Sequence, residues 1–258
     1  ASTVRFDAEI LLPFFKEGGR LTLNDVHYVK EGDWLTPAGQ TEFARDRSFG
    51  YHSSHLGDYV EEKTAGQYRK DACISISLED IRNEAIDKIT GQLMAATQFN
   101  KVIVNAVDYV DVKIFALAFI QAVLRGKTFL FRSAAAVTRV LGGIGPAPLL
   151  RKEQLIRDDN VHGGIVVIGS HVNKTTQQFE ALQGCKKPVT MIEFDQHRVA
   201  VEHGLEDEVQ RVIALTEKHL QTGQNVVVYT RRERFDLQTD DKDEQLKVSV
   251  RIDRKSVV

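Results

Sequence analysis

The stretch KVIVNAVDYVDVKIFALAFIQAVLRGKTFLFRSA, residues 101–134, decides the fold class. Its first seven residues are a continuous apolar run of strand length. Val110–Leu124 is a strongly apolar segment of helix length that stops at Gly126, and residues 127–134 return to a strand. Upstream, CISIS from Cys73 reads as a short strand. Ser77 then offers a helix cap with the Asp80 carboxylate three positions on, and Ile81, Ala85, Ile86, Ile89 and Leu93 follow at the three-to-four spacing of one buried helical stripe. Downstream, residues 163–170, 189–194 and 224–230 are further strands, separated by helical patterns at roughly 175–183 and 205–221. Strands that are apolar along their whole length are buried on both faces, and helices between them supply crossovers. The expected architecture is α/β, with largely parallel sheets flanked by helices.

Residues 141–164, LGGIGPAPLLRKEQLIRDDNVHGG, gather glycine, proline and charge between two such runs, as a hinge between domains does. The chain is therefore divided into residues 1–155 and 156–258. The first eighty residues are turn-rich and weakly periodic, and read as a long excursion of the kind that builds a binding face. Residues 231–247, dense in mixed charge, read as a solvated, mobile surface. With 34 Lys and Arg against 36 Asp and Glu, the net charge of −2 offers no single-sign field for nucleic acid or an anionic membrane. No apolar run approaches the ~20 residues of a membrane span, and the first residues lack a charged leader followed by an apolar region. The two cysteines, Cys73 and Cys185, fit reduced thiols in a cytoplasmic protein.

Several motifs fail on context. Gly126-Lys127-Thr128 resembles the end of a phosphate-binding loop, but Gln121 stands where that loop needs glycine, and a helix ends there rather than starts. His52 and His55 lack further ligands at metal spacing, and GGIG at 142–145 lacks the strand and helix of a dinucleotide fingerprint. What remains is positional. Ligands of parallel α/β sheets gather at the carboxyl ends of strands, which nominates Asn105, Asp108, Arg132, Ser133, and Gly169, Ser170 and His171. Each has a structural competitor. Asn105 and Asp108 could cap the following helix, Arg132 could form an ion pair, and Gly169-Ser170 could be a plain turn or the mouth of an anion site at a helix start.

Four blocks in order, PFFKEGGRLTLNDVHYV (13–29), TPAGQTEFARDRSFGYHSSHLGDYVEEKT (36–64), GKTFLFRSAAAV (126–137) and GGIVVIGSHVNKTTQQFEAL (163–182), resemble the four-carbon acid sugar kinases. That group is also labelled Hrp-dependent type III effectors. The resemblance covers nearly the whole chain. It implies an acid-sugar-binding domain followed by a nucleotide-binding domain, with the ligand cleft between them, and ATP-dependent phosphorylation of a hydroxyl of threonate, erythronate or an oxo-tetronate, with Mg²⁺. With charge and hydropathy giving no nucleic-acid or membrane partner, the expected partners are the sugar acid and ATP, and a homo-oligomer stays open. By the same resemblance Arg20 is a candidate to hold the substrate carboxylate or phosphate charge, with Thr41 and Asp46 in the loop behind it. Arg132 and Ser133 fall at the substrate domain's face, and Ser170 falls where the nucleotide is contacted. The family's acidic opening loop and its glycine-rich nucleotide loops have no counterpart here, and its Ser-Thr-x-Arg-Gly element matches at most Ser2 to Arg5. The expectation is a kinase lacking the N-terminal part of its first domain and the C-terminal part of its second. A non-catalytic sugar-acid or nucleotide binder, and a secreted effector, are the alternatives.

Overall fold

The structure is a computed structural model that describes residues 5–46, 49–156, 161–239 and 241–256. Most of the Ser2–Arg5 element, part of the interdomain stretch and one residue of the charge-dense segment lie outside the described residues. The chain divides into two compact units between Ala147 and Pro148.

In the first unit the order is β1 (Ala8–Leu12), β2 (Arg20–Leu23), β3 (Val26–Glu31), β4 (Trp34–Pro37), α1 (Leu56–Lys63), β5 (Ile74–Ile76), α2 (Leu78–Arg82), α3 (Ile86–Ala95), β6 (Asn100–Val104), α4 (Tyr109–Leu124), β7 (Phe129–Ser133) and α5 (Ala135–Leu141). A parallel sheet runs β5-β6-β1-β7. One face carries Ala8, Ile10, Leu12, Val102 and Val104, which bury against Ile89 and Leu93 of α3, Phe115 and Ala118 of α4, and Val137 of α5. The other face alternates with it and carries Glu9, Leu11, Lys101, Ile103 and Arg132, as the period of two requires. Helix α1 packs on β6, burying Leu56 and Val60.

The turn-rich excursion folds as a separate antiparallel sheet, β2-β3-β4. Asn24 and Asp25 both adopt left-handed backbone between Leu23 and Val26, which pair across the hairpin. Two such residues are what a two-residue hairpin loop demands. The turn is pinned to the parallel sheet. Asn105 accepts from the Asp25 backbone N–H at 2.8 Å and donates to the Asp25 carboxylate at 2.7 Å and to the Ile76 carbonyl at 3.0 Å. Thr22 and Ala106 exchange backbone hydrogen bonds.

Two local readings change. The stripe from Ile81 to Leu93 belongs to two helices, because the chain breaks at Asn83–Ala85 with Glu84 left-handed; Ile81 before the break and Ile89 and Leu93 after it are all fully buried. Strand β1 lies between β6 and β7, although its AEILL segment sits in the part of the sequence that reads as irregular.

In the second unit α6 (Lys152–Leu155), β8 (Ile165–Ile168), α7 (Asn173–Gln183), β9 (Val189–Phe194), α8 (Gly204–Gln221), β10 (Asn225–Thr230) and α9 (Lys242–Ser256) follow in order. The parallel sheet is β8-β10-β9. Ile192, Phe194, Val226 and Val228 face α8 and α9, while Tyr229 turns to the opposite face and meets Phe179 of α7 with ring centroids 4.6 Å apart. Strand β8 is an edge, so Ile165, Val166 and Val167 stay exposed despite their apolar sequence. The end of the charge-dense segment is the start of α9, whose Val248 and Ile252 pack on the core and whose Gln245 is buried.

Candidate functional site

In the first unit a cavity of about 250 Å³ opens at the carboxyl ends of β1 and β7. Leu11 and Pro13 form its floor, and Arg132, Ser133 and Ala134 one wall. The antiparallel sheet contributes Arg20 and His27, while Ala38, Tyr51, Ser53, Ser54 and the start of α1, with Tyr59, close the rest.

Arg20 reaches this cavity through a tight turn. Phe15 and Arg20 exchange backbone hydrogen bonds around Lys16–Gly19, and Gly19 has φ +66 with the Lys30 carbonyl where a side chain would stand, so glycine is required there. The Arg20 guanidinium lies 4.8 Å from the Phe43 ring centroid. Among the described residues it has no carboxylate partner. Arg132 is held on two sides, its Nε donating to Glu9 at 3.1 Å and its Nη1 to the Tyr59 hydroxyl at 3.1 Å. Tyr59 in turn meets Tyr51 edge to face. His27 is buried, with Nδ1 3.1 Å from the Thr22 hydroxyl. Burial, followed by the charge of Arg20, pushes its pKa down to about 4, so the ring is neutral at neutral pH. The loop over the cavity is tied by Glu62, whose carboxylate accepts from the backbone N–H groups of His52 at 2.9 Å and Ser53 at 3.0 Å. His55 caps α1 with its Nδ1, accepting from the Gly57 N–H at 3.2 Å.

The residues nominated from the sequence therefore separate. Arg20, Arg132 and Ser133 share the cavity wall. Thr41 is buried behind it, its hydroxyl bonded to the Ala38 carbonyl at 2.7 Å. Asp46 accepts from the Phe49 N–H at 2.8 Å in the neighbouring loop. Asn105 fastens the hairpin, as above. Asp108 is the N-cap of α4 in a reciprocal capping box with Asp111, and it pairs with Lys16. His27, Tyr51 and Tyr59 line the cavity without having been singled out in the sequence; they converge from segments too far apart for spacing to reveal.

The second unit has a mainly apolar cavity of about 390 Å³ between its sheet and α8 and α9, where Val167, Val228, Val212 and Phe235 meet Gly169, His171, Gln196 and Thr230. Gln196 is fully used, donating to the carbonyls of Arg231 and Glu233 and accepting from the Arg231 N–H. The His171 Nε2 lies 2.9 Å from the Arg231 carbonyl, and burial, with the charges of Arg232 and Arg234, lowers its pKa. Ser170 stands beside the cavity at the entrance to α7, accepting from the Thr175 hydroxyl at 3.2 Å. Apart from its two chain neighbours, no atom of the described residues lies within 4 Å of where a Gly169 side chain would begin, so packing among them does not demand glycine there.

Residues 1–141 match the family model of the sugar-binding N-terminal domain, and residues 165–257 that of the nucleotide-binding C-terminal domain. The chain belongs to the four-carbon acid sugar kinase family. No curated protein matches the sequence. Among solved structures, a putative tRNA synthase from Salmonella typhimurium LT2 aligns with a TM-score of 0.50 at 14% identity, over 87% of this chain and 49% of its own. At that identity the likeness concerns the fold alone. A protein of unknown function from Haemophilus influenzae aligns at 0.40 and 18% identity, over 96% of this chain and 55% of its own. A domain of unknown function from Bordetella bronchiseptica, a domain-swapped dimer with bound citrate, aligns at 0.36 and 19%, over 95% of this chain and 53% of its own. The chain thus spans about half the length of the solved structures it matches. As a member of the acid sugar kinase family it carries both a sugar-binding and a nucleotide-binding domain. Among the described residues no helix is long and apolar enough to cross a membrane.

Proposed function

We propose that this chain provides the ligand-binding parts of an ATP-dependent kinase that phosphorylates a hydroxyl of a four-carbon sugar acid of threonate, erythronate or oxo-tetronate type. The supporting observation is the pair of guanidinium groups on the first unit's cavity, Arg20, which has no counter-ion among the described residues, and Arg132. A half-buried cation without a partner is costly, and a carboxylate in the cavity would offset that cost with charge-assisted hydrogen bonds. The neutral His27, the Tyr51 and Tyr59 hydroxyls and Ser133 offer uncharged partners to the hydroxyls of a sugar acid. In this reading the acid-sugar part is residues 1–155 and the nucleotide part is 156–258.

ATP is assigned to the second unit, at Gly169, Ser170 and His171, where the open space beside Gly169 admits a close ligand and the start of α7 favours phosphate. Among the described residues no group of three or more His, Cys, Asp or Glu is arranged to hold a metal. Mg²⁺ would therefore enter on the nucleotide's phosphates, as that ion commonly does. Such a site would act by positioning the donor and acceptor and by offsetting charge on the transferred group. The two free thiols support a cytoplasmic setting.

The test is calorimetry of the chain with a panel of threonates, erythronates and oxo-tetronates, followed by incubation with ATP and Mg²⁺ and detection of phosphorylated acid. Arg20→Ala should weaken binding about 10- to 100-fold, the effect of losing a ~1.5–3 kcal/mol hydrogen bond to a charged group. An unchanged affinity removes Arg20 from the site. Binding without any phosphorylated product favours a non-catalytic sugar-acid binder.

A further inference from the structure

A carboxylate inside a buried strand needs an explanation, and Glu9 of β1 has two cations to supply one. Its Oε2 lies 2.8 Å from the Lys101 ammonium, directly across in β6, and its Oε1 accepts from Arg132 Nε at 3.1 Å, diagonally across in β7. Lys101 is almost completely enclosed: its side chain is 3% exposed, and its Nζ lies 3.6 Å from the Phe99 ring centroid and 4.1 Å from that of Tyr68. The Glu9 side chain is 13% exposed, whereas that of Arg132, on the cavity wall, is 55% exposed. A gradient therefore runs from a caged ammonium through a buried carboxylate to an accessible guanidinium.

If Glu9 served only to neutralise Lys101, an apolar pair would do as well, since buried ion pairs seldom surpass hydrophobic replacements. The second carboxylate oxygen is the informative one. It occupies Arg132 Nε while the Tyr59 hydroxyl occupies Nη1, and Nη2 has no partner among the described residues. Two of the three nitrogens are thus fixed from the protein side, and the remaining donors are left to a ligand in the cavity. Arginine reads a carboxylate best when its planar fork is already oriented.

We propose that Glu9 is a positioning residue for the cavity's anion site, with Lys101 fixing its carboxylate from behind so that it orients the Arg132 guanidinium toward the bound acid. The inference rests on the sugar-acid reading of the cavity. Lys101 supplies a rigid anchor, because an ammonium locked between two rings holds the carboxylate in one rotamer. Substitution at Glu9 should therefore change ligand affinity through Arg132 alone.

Removing Glu9 singly would leave Lys101 uncompensated and risks unfolding the unit, so the test uses Lys101→Met as its reference background. Glu9→Met/Lys101→Met should bind the preferred tetronate about ten-fold more weakly than Lys101→Met by calorimetry, with both proteins melting cooperatively. In an Arg132→Ala background the same Glu9 change should add nothing, since an effect routed through Arg132 vanishes with it. An equal loss with and without Arg132, or no loss at all, overturns the proposal. A ligand-free readout runs alongside: the Arg132 Nε–H signal in nitrogen-resolved NMR should exchange slowly in the wild type and rapidly in the double variant. Should the wild-type chain bind no tetronate, the sugar-acid reading fails. The Nε–H exchange then decides Glu9's role separately, and equal exchange in the two proteins overturns it.

Discussion

His27 makes the first unit sensitive to acid in a way that can be calculated. The ring is 7% exposed in β3, and burial, reinforced by the Arg20 charge, lowers its pKa from the ordinary 6.5 to about 4. The unfolded chain takes up this proton near pH 6.5, whereas the folded chain resists it until about pH 4. Between those values the unfolded state binds more protons, so stability falls as pH falls. At pH 4.5 the contribution is ~2.5 kcal/mol relative to neutral pH, about a sixth to a half of a typical domain's stability. The assay is urea unfolding of the wild type and His27→Asn at pH 7.0 and pH 4.5, followed by far-UV circular dichroism; asparagine can still reach the Thr22 hydroxyl. Carboxylates held at low pKa by their partners, such as Asp7 by the Thr128 N–H and Asp80 by Lys88, also lose stability on acidification, but equally in both proteins. The wild type should lose ~2.5 kcal/mol more than the variant. Equal losses would refute the claim that a neutral, buried His27 borders the cavity.

Two further substitutions probe the frame around the cavity. In Gly39→Ala the new methyl would sit on the His52 carbonyl oxygen, well inside contact distance, so the loop carrying Ser53 and Ser54 must shift. A loss of about 1–3 kcal/mol in thermal unfolding, together with weaker tetronate binding, is expected, and an unchanged melting temperature would show that the loop yields freely. Asp108→Ala should cost about 1 kcal/mol by removing the α4 cap, and Asp108→Asn should recover most of it; equal stability of all three proteins in urea would rule out capping as the role of Asp108.

The strands and helices from residue 73 onward were legible because each has a single environment. Strand β6 carries Val102, Ile103 and Val104, buried on both faces, and α4 is long, apolar and ended by Gly126. Strand β1 was not legible, because Glu9 interrupts its pattern and is tolerated only through Lys101 and Arg132, residues distant in sequence. Helix α9 was hidden for a related reason: its charge dominates its composition, and its buried side depends on a few positions such as Gln245, Val248 and Ile252. At the cavity, the strand-end rule reached Arg132 and Ser133, and the family resemblance reached Arg20. The same rule nominated Asn105 and Asp108, whose side chains are engaged with a hairpin turn and a helix cap. Position along a strand tells where a ligand could be met, but the hydrogen-bond partners that compete for each side chain come from elsewhere in the chain.

The alternation in AEILL explains how one strand can serve both the apolar core and the cavity. Ala8, Ile10 and Leu12 join the apolar cluster under α3, α4 and α5, and this face needs no polar partner. Glu9 and Leu11, one residue out of phase, face the side where Lys101 and Arg132 stand, and Leu11 ends on the cavity floor. A parallel sheet covered by helices on both faces would have had no place for such charges. Here the antiparallel excursion stands with α1 at the carboxyl ends of the strands, bringing Arg20 and His27 to a cavity that Arg132 also lines. The irregularity of the first eighty residues in sequence follows from that arrangement: short antiparallel strands and loops that line a cavity do not keep the period of a strand covered by a helix.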